Sequence, residues 1–200
     1  MNIMRKTASN PRTAAKQATH ERILSVAARA IRRSGYDGTG VADIMNEAGL
    51  THGAFYSHFA SREAMLAEAA GKACAESGAG AAAVAASAPP GATLKAMLAA
   101  YLSREHVEQL EAGCPLAALG SETSRQSTEV RRITTRHIKA TIDLLARQSP
   151  EWGQQVAHDR ALVTLSLMVG ALILARAVDE PGLSNSLREA ALKHLISIGH

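Results

Sequence analysis

Aromatic side chains make up only 3% of this chain, and cysteine occurs twice in 200 residues. Cys74 and Cys114 lie 40 positions apart, in neither CxxC nor finger-like spacing, so no disulfide framework and no structural zinc site is expected. A reducing cytoplasm is the simplest home for such a chain. The opening residues, MNIMRKTASNPRTAAKQATHER, are basic but contain no apolar h-region, so they do not read as a secretory signal; a transit peptide is the weaker alternative. The most apolar run, Ala161 to Ala175, is 15 residues between Arg160 and Arg176, short of the roughly 20 needed to span a bilayer. No membrane association is expected. GxSxG, HExxH and P-loop patterns are missing, which leaves open only an enzyme whose site the fold assembles from scattered residues. The eight histidines are dispersed, and His52 and His58 lack i, i+4 spacing, so neither a metal nor a cofactor is expected.

What is present is helix-forming. Hydrophobic residues make up 46% of the chain, enough to bury a core, and Ala, Leu, Met, Glu, Lys and Arg dominate. An all-α fold of about nine helices follows. The net charge of +4 is unevenly distributed: through Arg62 there are nine basic residues against four acidic, and beyond it thirteen against fourteen. A basic first third on a nearly neutral remainder suits a polyanion-binding module joined to something else, although a solvated basic face has the same composition.

Ile23, Val26, Ala27, Ala30 and Ile31 share one face of a helix predicted over Thr19 to Ser34, which Gly35 stops. A short helix follows over Val41 to Ala48, with Gly49 as its end. Thr51 is placed to cap a third helix of two turns, and Ser61 a fourth. After Ser77 the stretch GAGAAAVAASAPPGA reads as a linker or a loose helix end. Helices then resume over about Ala92–Glu111, Pro115–Ser124, Thr128–Gln148, Val156–Val178 and Leu183–Ile198.

Three of the five Phe and Tyr residues fall in GLTHGAFYSHF, residues 49 to 59. Phe55 and Phe59, at i and i+4, form one face able to pack on Ile23, Ile31, Ile44 and Met65, while Tyr56 and His52 occupy the adjacent face. Two short helices around a Gly-containing turn match a helix-turn-helix, whose second helix enters the DNA major groove. Tyr56 would offer its hydroxyl to phosphate, and His52, Ala54 and Ser57 would face base edges. His58 could reach the backbone, and Gly53 would permit close approach.

The stretch Gly35 to Ala69 resembles the DNA-binding module of TetR-family transcriptional regulators. The resemblance rests on Gly35-Tyr36, Thr39, Val41, Asp43-Ile44, Ala48-Gly49-Leu50, Gly53, Phe55-Tyr56, His58-Phe59 and Ser61-Arg62-Glu63 with Leu66. It implies a basic arm over residues 1–18, a helix-turn-helix domain over 19–65 (the motif itself 39–59), and a ligand-binding and dimerisation domain over 66–200. Phosphate contacts would fall on Thr39, Thr51, Tyr56 and His58, and base reading on His52 and Ala54. Two departures bear on the operator sequence. His52 stands where the family often has Lys, and Gly40 where it often has Ser or Thr, which removes a helix cap from the interface.

The segment EAGCPLAALGSE, Glu111 to Glu122, resembles the start of the helix that transmits ligand binding in a subset of these regulators. An effector pocket would draw on Met97, Tyr101, Cys114, Leu116 and Ile138, with Leu119 and Leu145 nearby. Cys114 is also the candidate for a redox or electrophile sensor, with Cys74 as its partner. The run Ala161 to Val178 is apolar around most of its circumference and must be buried. With the last helix it would form a four-helix dimer interface through Leu165, Met168, Val169, Leu172, Ala191 and Leu195. The implied protein is a homodimeric, ligand-released repressor on a palindromic operator of double-stranded DNA, cytoplasmic and not an enzyme.

Overall fold

The computed structural model describes residues 10–198 and is all-helical, with nine α-helices and one 3₁₀ helix among the described residues. The first helix, α1 (Pro11–Ser34), begins eight residues earlier than the periodicity suggested. The side chain of Asn10 accepts from the Arg12 N–H at 3.1 Å, and Pro11 fills the first helical position, where its missing N–H costs nothing. The second half of the expected arm is therefore helix; Arg5 and Lys6 lie outside the described residues. Gly35 ends α1 with φ of +76°, a backbone conformation that favours glycine.

Helix α2 (Val41–Glu47) turns through Gly49, at φ of +69°, into a 3₁₀ helix (His52–Ser57) in place of the two-turn α-helix. Thr51 precedes it but makes no side-chain capping bond, a correction to its expected role. Ser61 does cap α3 (Arg62–Ser87), accepting from the Ala64 N–H.

Of the two readings of residues 78–92, a linker or a helix end, α3 rules out the linker and supplies the helix end. It runs 26 residues, straight through Gly78 and Gly80, and stops only at Ala88 before Pro89 and Pro90. Each glycine costs about 1 kcal/mol relative to alanine, too little to break a helix otherwise built of alanine, whereas a following proline excludes the α conformation outright. One helix thus joins both halves of the molecule.

Beyond it, the predicted Ala92–Glu111 helix divides into α4 (Thr93–Tyr101) and α5 (Arg104–Glu108), because Ser103 turns extended and accepts the His106 N–H. Next come α6 (Pro115–Thr123), α7 (Thr128–Ala146), α8 (Gln155–Ala177) and α9 (Pro181–Ile198).

Two cores result. The first gathers Ile23, Ile31, Ile44, Met45, Phe55, Phe59 and Met65, with Leu119 of α6 and Val130 of α7 reaching into it. The second holds Met97, Leu98, Leu102, Ile142, Leu145, Leu165, Met168, Leu172 and Leu195.

That second core corrects the dimer face. Leu165, Met168, Leu172, Ala191 and Leu195 are all buried within the chain itself, and only Val169 of the expected set keeps partial exposure. The large apolar side chains that α8 leaves exposed are Val156, Leu162, Val163, Ile173 and Leu174, with Ser166 and Gly170 among the last four. Helix α8 is long and apolar enough to cross a membrane by length and composition, but it packs against α6, α7 and α9. An all-round apolar helix carries no mark of which side faces its own core.

Candidate nucleic-acid interface and effector cavity

Phe55 and Phe59 stack at 5.4 Å between centroids and are buried, fixing the 3₁₀ helix on the core below. Tyr56 points the other way, 71% exposed, with its ring edge-on to Phe55 at 5.2 Å and to His52 at 6.3 Å. Thr51, His52, Tyr56 and Ser57 are all exposed, although the Ser57 hydroxyl already donates to the Ala54 carbonyl at 2.7 Å. Ala54 is half-buried against the core. At Gly53 an added Cβ would meet nothing within 4 Å, so no contact inside the chain requires glycine there.

Other expected contacts are turned inward. Thr39 is 3% exposed and its hydroxyl donates to the Gly35 carbonyl at 2.7 Å, so its side chain is turned away from the surface. Gly40 caps α2 with no side chain, and a Cβ there would come within 2.9 Å of the flexible Asp43 carboxylate. His58 is half-buried, 6.0 Å from His20 between ring centroids, and its Nδ1 is buried without a partner. Burial, then the charges of His20 and Lys16, push its pKa below the ordinary histidine value.

The charge count also needs correction. Arg29 and Arg33 are held by Glu47 and Glu111, and Arg32 by Glu76 at 2.7 Å, so three of the basic residues counted toward a polyanion surface are neutralised within the fold. Arg62 donates to the carbonyls of Tyr36 and Thr39 at 2.6 and 3.1 Å, locking the connection between α1 and α2. The exposed cations of α1 outside these pairs are Arg12, Lys16 and Arg22, of which Lys16 is close enough to His58 to act on its charge. Sequence reading marked them as basic but could not tell a paired arginine from a free one.

In the other half, a cavity of about 380 Å³ lies among α3, α4, α6, α7 and α8. Met97, Tyr101, Cys114, Leu116 and Leu145 line it. Ile138 does not; it faces a separate surface groove with Trp152 and His158, and Leu119 belongs to the first core. From α7 the wall takes His137, Ala140, Thr141, Leu144 and Leu145, a stripe at i, i+3, i+4, i+7, i+8 that excludes Ile138.

Several polar residues of the wall escaped sequence reading, among them Glu76, His106 and His137. His106 joins its ring Nδ1 to the Tyr101 carbonyl at 2.6 Å, and its Nε2 accepts the Cys114 N–H at 3.0 Å, an arrangement that requires the neutral ring. Burial lowers its pKa accordingly, and does the same for His137. The Tyr101 hydroxyl is buried with no partner, and burial raises its pKa. Cys74 is buried outside this cavity, and burial pushes its thiol up to about 11.

Residues 23–69 match the family described as bacterial regulatory proteins of the TetR family, and residues 90–190 match the C-terminal domain of LmrA/YxaF-like transcriptional regulators. The chain belongs to the TetR family of transcriptional regulators. Solved TetR-like structures share its fold across nearly the whole length. A TetR-family regulator from Chloroflexus aurantiacus is 26% identical, with 92% of this chain and 95% of that one covered and a TM-score of 0.78. One from Agrobacterium tumefaciens is 21% identical, covering 90% and 98%, with a TM-score of 0.75. Reduced Escherichia coli NemR is 22% identical, covering 90% and 96%, with a TM-score of 0.74. No curated protein matches the sequence. As a TetR-family protein the chain is a DNA-binding regulator, with α2 and the 3₁₀ helix forming its helix-turn-helix.

Proposed function

We propose that this regulator is a homodimeric repressor that holds a palindromic operator in double-stranded DNA and is released by a small molecule bound in the 380 Å³ cavity. The observation that carries the DNA half is Tyr56, turned fully outward from a helix that Phe55 and Phe59 anchor. Thr51 and Tyr56 would bind phosphate and His52 would read bases, with Ala54 and Ser57 at the edge of the contact. Lys16 and Arg12 would add phosphate contacts along α1.

The exposed stripe of α8, Val163, Ile173 and Leu174 with Gly170 at its centre, supports pairing with a second copy in a four-helix interface together with α9. Two recognition segments could then read half-sites one helical turn apart. An effector need prefer the released state only by a coupling energy of about 1–3 kcal/mol. The cytoplasm is the compartment in which such a protein meets its operator.

A second reading, favoured by the place of Cys114 on the cavity wall, is that an electrophile entering the cavity alkylates this thiol. Cys74 is a poor resolving partner, because burial keeps it protonated.

The test is binding of the purified protein to its own upstream duplex against a scrambled duplex at two salt concentrations. Preference for the upstream duplex supports the proposal. Absence of binding to either would overturn it and return an enzymatic role to consideration.

A further inference from the structure

Part of the cavity wall is built around a hydroxyl with nothing to bond. Tyr101, at the end of α4, lines the cavity with its ring edge-on to His106 at 4.8 Å, and its hydroxyl is buried without a hydrogen-bond partner. His106 cannot serve it, because its Nδ1 is committed to the Tyr101 carbonyl and its Nε2 to the Cys114 N–H. A buried donor without an acceptor is a cost that an incoming oxygen relieves.

Behind the same wall lies a cation. Arg176 of α8 donates from Nε to the Val107 carbonyl at 3.2 Å and from Nη2 to the His106 and Gln109 carbonyls at 2.6 and 3.4 Å. None of these partners is a carboxylate, and Nη1 is buried with no partner at all. Gly113 lets the guanidinium come this close: it lines the cavity, and a Cβ on it would lie 2.7 Å from Arg176 Nη2. Burial lowers the Arg176 pKa, the mark of a cation short of compensation. Burial also raises the Tyr101 pKa, and the charge of Arg176 works against that rise, so its field reaches the phenol oxygen. Glu76, the one carboxylate on the wall among the described residues, is half exposed and already faced by Arg32 at 2.7 Å and Lys72 at 4.0 Å.

We propose that the cavity takes an apolar organic acid as its anion, the carboxylate accepting from the Tyr101 hydroxyl under the positive potential of Arg176. The inference rests on the reading of this cavity as the effector site. Val84, Met97, Leu116, Leu144 and Met168 would hold an aliphatic body. A neutral acceptor would take the hydroxyl but gain little from the charge, whereas an ionised one gains on both counts in a site drier than bulk water. A cation would meet Arg176 and a carboxylate already paired.

The test titrates the full-length protein calorimetrically, without DNA and at about pH 7.5, with octanoate, octanamide and octylammonium, which share one chain length and differ in head charge. The expected order is octanoate tightest, by about five-fold or more over octanamide, with octylammonium weakest. Tyr101→Phe deletes a hydroxyl that bonds nothing within the chain, so it should keep or raise Tm. It should nonetheless weaken octanoate by about five-fold or more while leaving octylammonium within about two-fold. Arg176→Gln should bring octanoate down to the level of octanamide, with octanamide itself held within about two-fold as the sign of an intact cavity. Should Arg176→Gln not fold, the head-group order and Tyr101→Phe decide the matter. Octanamide or octylammonium binding as tightly as octanoate would overturn the inference, as would an octanoate affinity unmoved by Tyr101→Phe, a preference that survives Arg176→Gln, or no binding of any of the three. Addition of octanoate to the operator complex is a separate arm. Octanoate that binds the free protein in the expected order but releases no DNA supports the head-group inference and removes the effector reading.

Discussion

The carboxylate of Glu122, on α6, accepts the backbone N–H of Tyr36 at 2.8 Å, across 86 residues of sequence. Tyr36 lies in the turn between α1 and α2, so a helix that walls the cavity is tied to the connection between those two helices. Arg62 grips the same turn from α3 through the Tyr36 and Thr39 carbonyls. On the proposed function, movement of α6 or α3 about a ligand would act directly on that connection.

Glu122→Ala should leave the Tyr36 amide without its charged acceptor. The expected loss is about 1–3 kcal/mol, or a fall in Tm of about 2–12 °C for a chain of this size, measured by thermal unfolding. Gly35→Ala tests the same junction from the other side. Its Cβ would lie 2.5 Å from Glu122 Oε1 at a φ of +76°, so it should destabilise as well.

Tyr56→Phe should weaken operator binding by about five-fold or more, for loss of one phosphate hydrogen bond of about 1 kcal/mol, and equally on operator and scrambled duplexes. His52→Ala should instead change the ranking among operator variants. Since both side chains are exposed, unfolding free energies should stay within about 0.5 kcal/mol of the parent. Unchanged affinity in Tyr56→Phe would mean that this face does not meet DNA.

Substitution separates the two sides of α8. Ile173→Glu and Val163→Glu place charge in the exposed stripe and should yield monomers in analytical ultracentrifugation. Leu172→Ala, on the opposite side and fully buried, should instead cost about 2–5 kcal/mol of unfolding free energy through the cavity it leaves. A protein that sediments as a monomer without any substitution would remove the dimer from the mechanism.

Acidification should destabilise the fold from about pH 6.5 downward. Burial holds His106 and His137 below their ordinary value of 6.5, so the unfolded chain takes up protons that the folded one refuses. The stability is present in full above 6.5 and is lost as the pH falls toward the lower folded values. Glu63 and Glu151, also lowered, act further down, below 4.5. Tm measured from pH 7.5 to 5 should fall, and His137→Gln should flatten the decline while leaving the value at pH 7.5 nearly unchanged.

Much of this molecule follows from local rules that its sequence carries openly. Helical periodicity in Ile23 to Ile31, the cap at Ser61, the stops at Gly35 and Gly49, and Phe55 and Phe59 at i and i+4 are short-range features. They define the all-α class, the helix-turn-helix and its aromatic anchor without reference to the rest of the chain. Where local signals were weak the reading failed. Two glycines suggested a linker inside α3, and the two prolines that really end it lie ten residues further on.

What only the tertiary structure decided is which side of each element meets which partner. Arg29, Arg32 and Arg33 look like DNA-binding charge until Glu47, Glu76 and Glu111 are seen beside them, up to 82 residues away. Ile138 and His137 are neighbours in sequence, yet 100° apart on α7, and only the packing of α7 against α3 and α8 put one on the surface groove and the other in the cavity. The same holds for α8, whose apolar residues run all the way round. The sequence determined that these helices form, because that depends on residues three and four apart; the cavity, its single carboxylate and the tie to the DNA-binding head depend on contacts between distant segments, which no local pattern encodes.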